Sequence, residues 1–390
     1  MAAPGTSSAA DAVGRVSLRH LPALDGIRGV AIVWVVFHNA TDRVTGPAHG
    51  LSYLLMLFAH TGWIGVQLFF ALSGFLITAG LLATQGAPHY FRNFYARRAL
   101  RILPLYYAVL VALLLIWPRF AAVTPLQGAH QLPLWLFIAN FGQALPLGFA
   151  HFWSLSVEEQ FYLLWPLVVG WLPPKRLLPA CAAIALGALL VRAAMSVAGA
   201  DSWTIYSNTA CRMDALALGG AGACLLYLPA ARAWFVGHLR LLMAVTMLLF
   251  ILGIPVTHVY STTDFVGQTL GYALLALCAA VFVTVIAVGG AARVTRLRGL
   301  LAAAPLRSLG KYSYAIYVFH NLLHRLWGDP WLVAHFGPRP APAIVLAYAL
   351  AVLFASYGLA LCSYQLLEKH FLRLKRHFDA PATPLAAGAS

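Results

Sequence analysis

Charge is what this sequence of 390 residues has least of. Asp, Glu, Lys and Arg make up only 9% of it, where a soluble domain carries about 25%. Only 11 residues are acidic. No long polar stretch separates the apolar runs, so no large soluble domain fits. The five cysteines (Cys181, Cys211, Cys224, Cys278 and Cys362) form no CxxC pair, and most sit in apolar blocks. They read as packing residues, which excludes a disulfide framework and a cysteine zinc site. The 14 histidines are scattered without an HExxH, so no metal site is signalled. There is no GxSxG, no P-loop and no dinucleotide fingerprint. Residues 1–20 are small and polar and lack the apolar core of a signal peptide, and they read as a flexible tail.

What is present is hydrophobic. Apolar residues make up 61% of the chain, in blocks near the 20 residues that cross a bilayer as a helix. The fold class expected is all-α, a polytopic membrane protein. Ten spans are predicted, near 24–42, 60–83, 102–117, 156–173, 177–198, 213–229, 238–258, 267–289, 312–327 and 342–366. Residues 131–146 are apolar but short, with two prolines, and suit a re-entrant or interfacial segment. The membrane domain is expected over 21–370, followed by a cytoplasmic tail over 371–390 whose end, "APATPLAAGAS", reads as disordered.

Ten spans with a cytoplasmic N-terminus place twenty lysines and arginines on the cytoplasmic side and six, Arg192 and Arg212 among them, on the other. That asymmetry satisfies the positive-inside rule and puts both termini in the cytoplasm. It also accounts for the net charge of +15 through anionic lipid rather than nucleic acid. The expected place is the inner (plasma) membrane. Clusters such as "GWIG" (62–65) and "GGAGA" (219–223) suit close helix packing.

Several stretches carry ionisable groups where lipid would penalise them. "HFWSLSVEEQFYLLWPL" (151–167) holds Glu158 and Glu159 at the outer end of the fourth span. "SVEE" offers a capping box, with Ser156 as N-cap and Glu159 reaching back. That explains Glu159 but leaves Glu158, which must face water, a basic partner or a polar cavity. "LDGIRGVAIVWVVFHNA" (24–40) holds Arg28 near the inner face. His38 lies about 15 Å of helix rise further out, near the depth of Glu158. A histidine beside a carboxylate is a general-base arrangement. The bland alternative is a core histidine bonded to a backbone carbonyl.

In "FRNFYARRALRILPLYY" (91–107), Arg97, Arg98 and Arg101 share a helix face at the cytoplasmic surface. They suit either phosphate binding or ordinary charge anchoring. In "GKYSYAIYVFHNLLH" (310–324), Tyr312, Tyr314 and Tyr317 could line a cavity or form an interfacial belt; on sequence alone, anchoring tyrosines and a satisfied core His320 are the reading taken. In "FFALSGFLI" (69–77), Ser73 and Gly74 read as a packing notch.

Taken together these stretches resemble the membrane acyltransferase family 3, the bacterial integral-membrane O-acyltransferases. The resemblance runs from about 20 to 370. It rests on "LDGIRG…FH", "GVQLFFALSGFLIT", "RRALRILPLYY", "FWSLSVEEQFYLLWPL" and "YSYAIYVFHNLL", in that order. It implies ten membrane helices and acetyl-CoA or another acyl-CoA as donor. The implied acceptor is a hydroxyl of a carbohydrate or surface polysaccharide, or of a secondary metabolite such as a macrolide. It implies required roles for Arg28 and His38. It maps the RxxR pair to Arg98 and Arg101 and the characteristic glutamate to Glu158.

One departure concerns the first helix, which has nine residues between Arg28 and His38 where the family usually has ten. Ten steps at about 100° each leave the two side chains about 80° apart. Either a helix irregularity realigns them or Arg28 serves another wall of the site. Some relatives also carry an extracytoplasmic SGNH-type domain, and none is expected here.

The mechanism implied puts the donor's phosphates on Arg97, Arg98 and Arg101, with the thioester extending past Arg28. His38 would act as general base or transient acyl carrier, oriented by Glu158. Two rivals come from other classes. One is a secondary transporter or flippase using Glu158 and His38 as a proton relay. The other is a non-catalytic scaffold, which would have little use for ionisable groups inside the bilayer.

Overall fold

The computed structural model describes residues 21–41, 50–119, 128–141, 145, 148–289 and 292–378. The N-terminal tail (1–20) and the final stretch of the C-terminal tail (379–390) lie outside them. Among the described residues there is no strand, and ten helices are 17 residues or longer. They are α1 Pro22–Thr41, α2 Ile64–Ala83, α3 Tyr90–Leu110, α4 Phe152–Trp171 and α5 Pro174–Val197. They continue as α6 Thr209–Tyr227, α7 Leu239–Val256, α8 Tyr272–Val288, α9 Ala304–Leu323 and α10 Pro342–Ser363.

Length and composition alone qualify six helices to cross a membrane, or seven if the bent pair Ser202–Tyr227 and Pro229–Gly237 counts as one span. The long helices outside the six are α1, α4, α6 and α9. They are the ones that carry Arg28, Glu158, Glu159, Arg212, Asp214 and Lys311. All of these except the exposed Lys311 are at least partly buried.

Glycine sets how closely the central helices approach. A Cβ on Gly74 of α2 would run into the Leu216 carbonyl of α6, and one on Gly219 of α6 would meet the Ala71 carbonyl of α2. The same reciprocal arrangement joins α1 and α9, where Gly310 faces the Asp25 carbonyl and Gly29 the Leu306 carbonyl. Small residues that let backbones touch supply the packing that lipid cannot drive. Gly74→Val is therefore expected to separate α2 from α6 and cost about 1–3 kcal/mol or more. A lower thermal midpoint in detergent would show it, and an unchanged midpoint would refute the close-packing argument.

The start of α4 departs from the capping-box expectation. The helix begins at Phe152, four residues before Ser156. Ser156 sits inside it and its Oγ donates to the Phe152 carbonyl at 3.2 Å. The N-cap is His151, without a side-chain cap bond. Aromatic burial fixes this end instead. Phe152 packs on Tyr106 and Phe149, and Trp153 on Phe70 and Tyr206. Glu159 is thereby released from any capping duty.

The 131–146 segment is helical over Gly128–Trp135 and then turns, with 142–144 and 146 outside the described residues. Tyr106 and Tyr107 of α3 donate to its Leu134 and Trp135 carbonyls at 2.7 and 3.1 Å.

Candidate active site

A cavity of about 90 Å³ lies where α1, α2, α3, α4 and α9 converge. Its polar wall is Arg28 from α1, Ser73 from α2, Arg98 and Arg101 from α3, and Ser154, Glu158, Glu159 and Tyr162 from α4. Ser313, Tyr314 and Tyr317 of α9 close it. Glu158 projects here because α4 starts at Phe152, so Ser154, Glu158 and Tyr162 recur at four-residue steps along one face.

Ser73 Oγ donates to Glu158 Oε1 at 2.7 Å, and Tyr162 OH donates to Ser73 Oγ at 3.2 Å. The charges of Arg28 and Arg98 both act on Glu158. The Arg98 guanidinium lies 5.2 Å from the Tyr162 ring centroid and 5.9 Å from that of Phe94. Arg28 also pairs with Asp25 one turn back, at 3.4 Å. In a cavity that a carboxylate and two guanidinium groups line together, the carboxylate can accept a proton and the guanidinium groups can offset charge developing on a carbonyl oxygen.

A second and larger cavity, of about 640 Å³, adjoins the first. The two share Leu76, Ile77, Arg98 and Arg101 in their walls. The second also takes in Arg97, the end of α2 (Gly80, Ala83, Thr84) and the start of α3 (Tyr90, Asn93, Phe94). It therefore lies at the end of the bundle where α2 finishes and α3 begins.

The five motif residues other than His38 thus line these two adjoining cavities. His38 does not line either one. It sits half-buried toward the other end of α1 and packs against Gly62, just before α2. Helix α1 is a regular α-helix throughout, so no irregularity brings Arg28 and His38 onto one face. Arg28 occupies a different wall, as a ten-step spacing requires.

Several other readings change with the structure. Gly74 is a packing notch, but its neighbour Ser73 is a hydrogen-bond partner of Glu158. Tyr314 and Tyr317 line the cavity rather than anchoring at an interface. Tyr314 OH donates to the Ile102 carbonyl at 2.8 Å, and Tyr317 OH meets Ser154 Oγ at 2.5 Å. His320 is fully buried with Nδ1 against the Tyr317 carbonyl at 2.6 Å.

Arg192 and Arg212 are not loop charges. Both are fully buried, and Arg192 pairs with Asp214 at 2.7 Å. Arg212 is enclosed by aromatic rings, among them Tyr206 of the short helix Ser202–Ser207, Trp153 of α4 and Tyr272 of α8. Its guanidinium lies 4.7 Å from Tyr272, 4.9 Å from Tyr206 and 5.4 Å from Trp153. These rings supply the attraction that hydrogen-bond acceptors would otherwise provide. Neither arginine belongs in a tally of loop charges. Among the described residues no cluster of three or more His, Cys, Asp or Glu could hold a metal ion.

The family model described as an acyltransferase domain, that of acyltransferase family 3, matches residues 21–361. YrhL of Bacillus subtilis (strain 168), whose name carries a provisional assignment as a peptidoglycan O-acetyltransferase, is 31% identical over 332 residues. That alignment covers 77% of this chain and 48% of YrhL. The peptidoglycan O-acetyltransferase OatA of Listeria monocytogenes is 27% identical over 78% of this chain and 50% of its own length. The O-acetyltransferase OatA of Staphylococcus aureus is 28% identical over the same shares. The chain thus spans about half the length of the curated relatives it matches. No solved structure matches it.

Proposed function

The chain belongs to acyltransferase family 3, and from that premise we propose a multi-pass membrane O-acetyltransferase that draws on acyl-CoA. The acceptor is a hydroxyl of a carbohydrate or surface polysaccharide, or of a secondary metabolite such as a macrolide. The observation that supports this reading is the pair of adjoining cavities. One is lined with arginines at the end of the bundle, and the other holds Glu158 between Arg28 and Arg98.

In this reading all ten long helices cross the plasma membrane and both termini face the cytosol. The larger cavity then opens toward the compartment where acyl-CoA is made. The donor's phosphates pair with Arg97, Arg98 and Arg101, whose planar guanidinium groups suit phosphate oxygens. The shared wall at Leu76, Ile77, Arg98 and Arg101 lets the thioester reach Glu158. Ser73 holds the carboxylate in place. Arg28 and Arg98 offset the negative charge that builds on the carbonyl oxygen as the acceptor oxygen attacks.

His38 takes the acceptor side. Its imidazole, with a reference pKa of about 6.5, either takes the acceptor hydroxyl's proton as that oxygen attacks the thioester and the coenzyme A thiol leaves, or first takes the acyl group itself, releasing coenzyme A, and passes it to the acceptor. Because it stands outside the smaller cavity, donor and acceptor approach from opposite ends of the bundle. They meet near Ser154 and Tyr317.

Purified protein in proteoliposomes, given acetyl-labelled acetyl-CoA and a glycan mixture, tests the reading. Label on a glycan hydroxyl is the expected outcome. A proton-coupled flippase would move lipid and leave the label unused, and a scaffold would do neither.

A further inference from the structure

Beyond α10 the chain continues through Lys369–Arg373 into a 3-10 turn over Leu374–Phe378. This segment folds back against α3. In a 3-10 turn, side chains three apart eclipse one another. Lys375 and Phe378 stand at that spacing, and both line the larger cavity. Arg373, Arg376 and His377 between and beside them are exposed.

The charges of Arg101, Arg98 and Arg97 all act on Lys375. Burial together with these charges pushes the Lys375 ammonium down to about 7, and an anion in the space between the four groups would restore its charge. Glu368, seven residues before Lys375, is acted on by the Arg101 charge but does not line the cavity. It is engaged by Ser363 Oγ at 2.7 Å. The same cavity carries Tyr90, Phe94 and Phe378, flat faces on which a heteroaromatic base can stack. Its volume of about 640 Å³ falls within the range of small-molecule sites, about 300–1,000 Å³.

We propose that the C-terminal segment is a structural wall of the donor site. Lys375 pairs with a phosphate of a polyphosphorylated nucleotide, and Phe378 packs on its base. The inference rests on the acyl-CoA reading and extends it to residues outside the motifs that support that reading.

Equilibrium binding of acetyl-CoA tests it, using full-length protein in nanodiscs of phosphatidylcholine. Wild type is compared with Lys375→Gln, Phe378→Ala and Arg98→Ala. Lys375→Gln is expected to weaken acetyl-CoA about ten-fold through the lost charged contact, and Phe378→Ala about ten-fold through the lost base stacking. Neither should change the reactivity of acetyl-pantetheine, which lacks the nucleotide. Binding as tight in Lys375→Gln as in wild type overturns this inference alone. No binding to wild type overturns the donor reading and the inference with it.

A second arm uses nanodiscs containing phosphatidylglycerol. Loss of acetyl-CoA binding there, dependent on Lys375, would assign the cations to a lipid headgroup and overturn the proposal. Unchanged binding supports the nucleotide.

Discussion

Glu158→Gln is expected to lower acetyl transfer about 10²–10⁴-fold, the range in which a positioned acid–base group contributes, while acetyl-CoA still binds. Glutamine keeps the size of the side chain, and its carbonyl can still accept the Ser73 hydroxyl that meets Glu158 at 2.7 Å. What it removes is the negative charge between Arg28 and Arg98. The effect should therefore fall on kcat and leave KM for the donor within a few-fold. Ser73→Ala should give a smaller loss, because the carboxylate stays but loses one positioning contact. Initial rates with labelled acetyl-CoA check both. A Glu158→Gln protein that keeps wild-type kcat would remove the carboxylate from the chemistry.

The second large effect concerns the fold. Asp214→Asn is expected to destabilise the protein by about 3–5 kcal/mol, because it leaves the Arg192 charge buried without a counter-ion. The pair stands at 2.7 Å with both side chains out of contact with solvent. Asp214 Oδ1 also accepts from the Ala215 amide at 2.8 Å, which ties the carboxylate to the start of α6. Replacing both partners with leucine should recover most of the loss, since an apolar pair of similar volume carries no desolvation penalty. Thermal unfolding in detergent distinguishes the cases. Equal midpoints for wild type and Asp214→Asn would show that the pair adds nothing to stability.

The helical architecture is legible in the sequence because apolar blocks of bilayer length leave few alternatives. Glu158 is singled out for a related reason, whereas Arg98 and Arg101, read at the cytoplasmic surface, are singled out by the resemblance. Ionisable groups in lipid-length runs are costly, so each one marks the interior. What sequence reading missed depends on tertiary placement. Ser73 lies 85 residues from Glu158 and sits among apolar neighbours, so nothing local separates it from its packing partner Gly74. The signal that could have found it is modest: it is the hydroxyl in an otherwise apolar stretch of a helix that also presents a close-packing glycine.

The capping box at "SVEE" failed for the opposite reason. A valid local motif was overruled when Phe152 and Trp153 extended the helix into an aromatic cluster. Arg192 and Arg212 look like loop charges because they sit near predicted span ends, and only the folded contacts reveal the ion pair and the ring cage. Lys375 reads as one more cytoplasmic charge until the 3-10 turn points it inward. His38 and Glu158 were matched by depth, and the structure instead sets Glu158 in the cavity of Arg28 while His38 lies toward the other end of α1.

The central claim is that the thiol end of coenzyme A, arriving through the arginine-lined cavity, reaches the pocket of Glu158. It can be tested without an acceptor. Cys362 is the exposed native cysteine and is first replaced by Ser. Into that background Ser73→Cys is introduced, and the protein is treated with the disulfide of coenzyme A. Peptide mass spectrometry then looks for a mixed disulfide. The account predicts an adduct on the introduced thiol that is lost when Arg98 and Arg101 are replaced by Ala. No adduct at position 73, or one that persists undiminished without the two arginines, would contradict it.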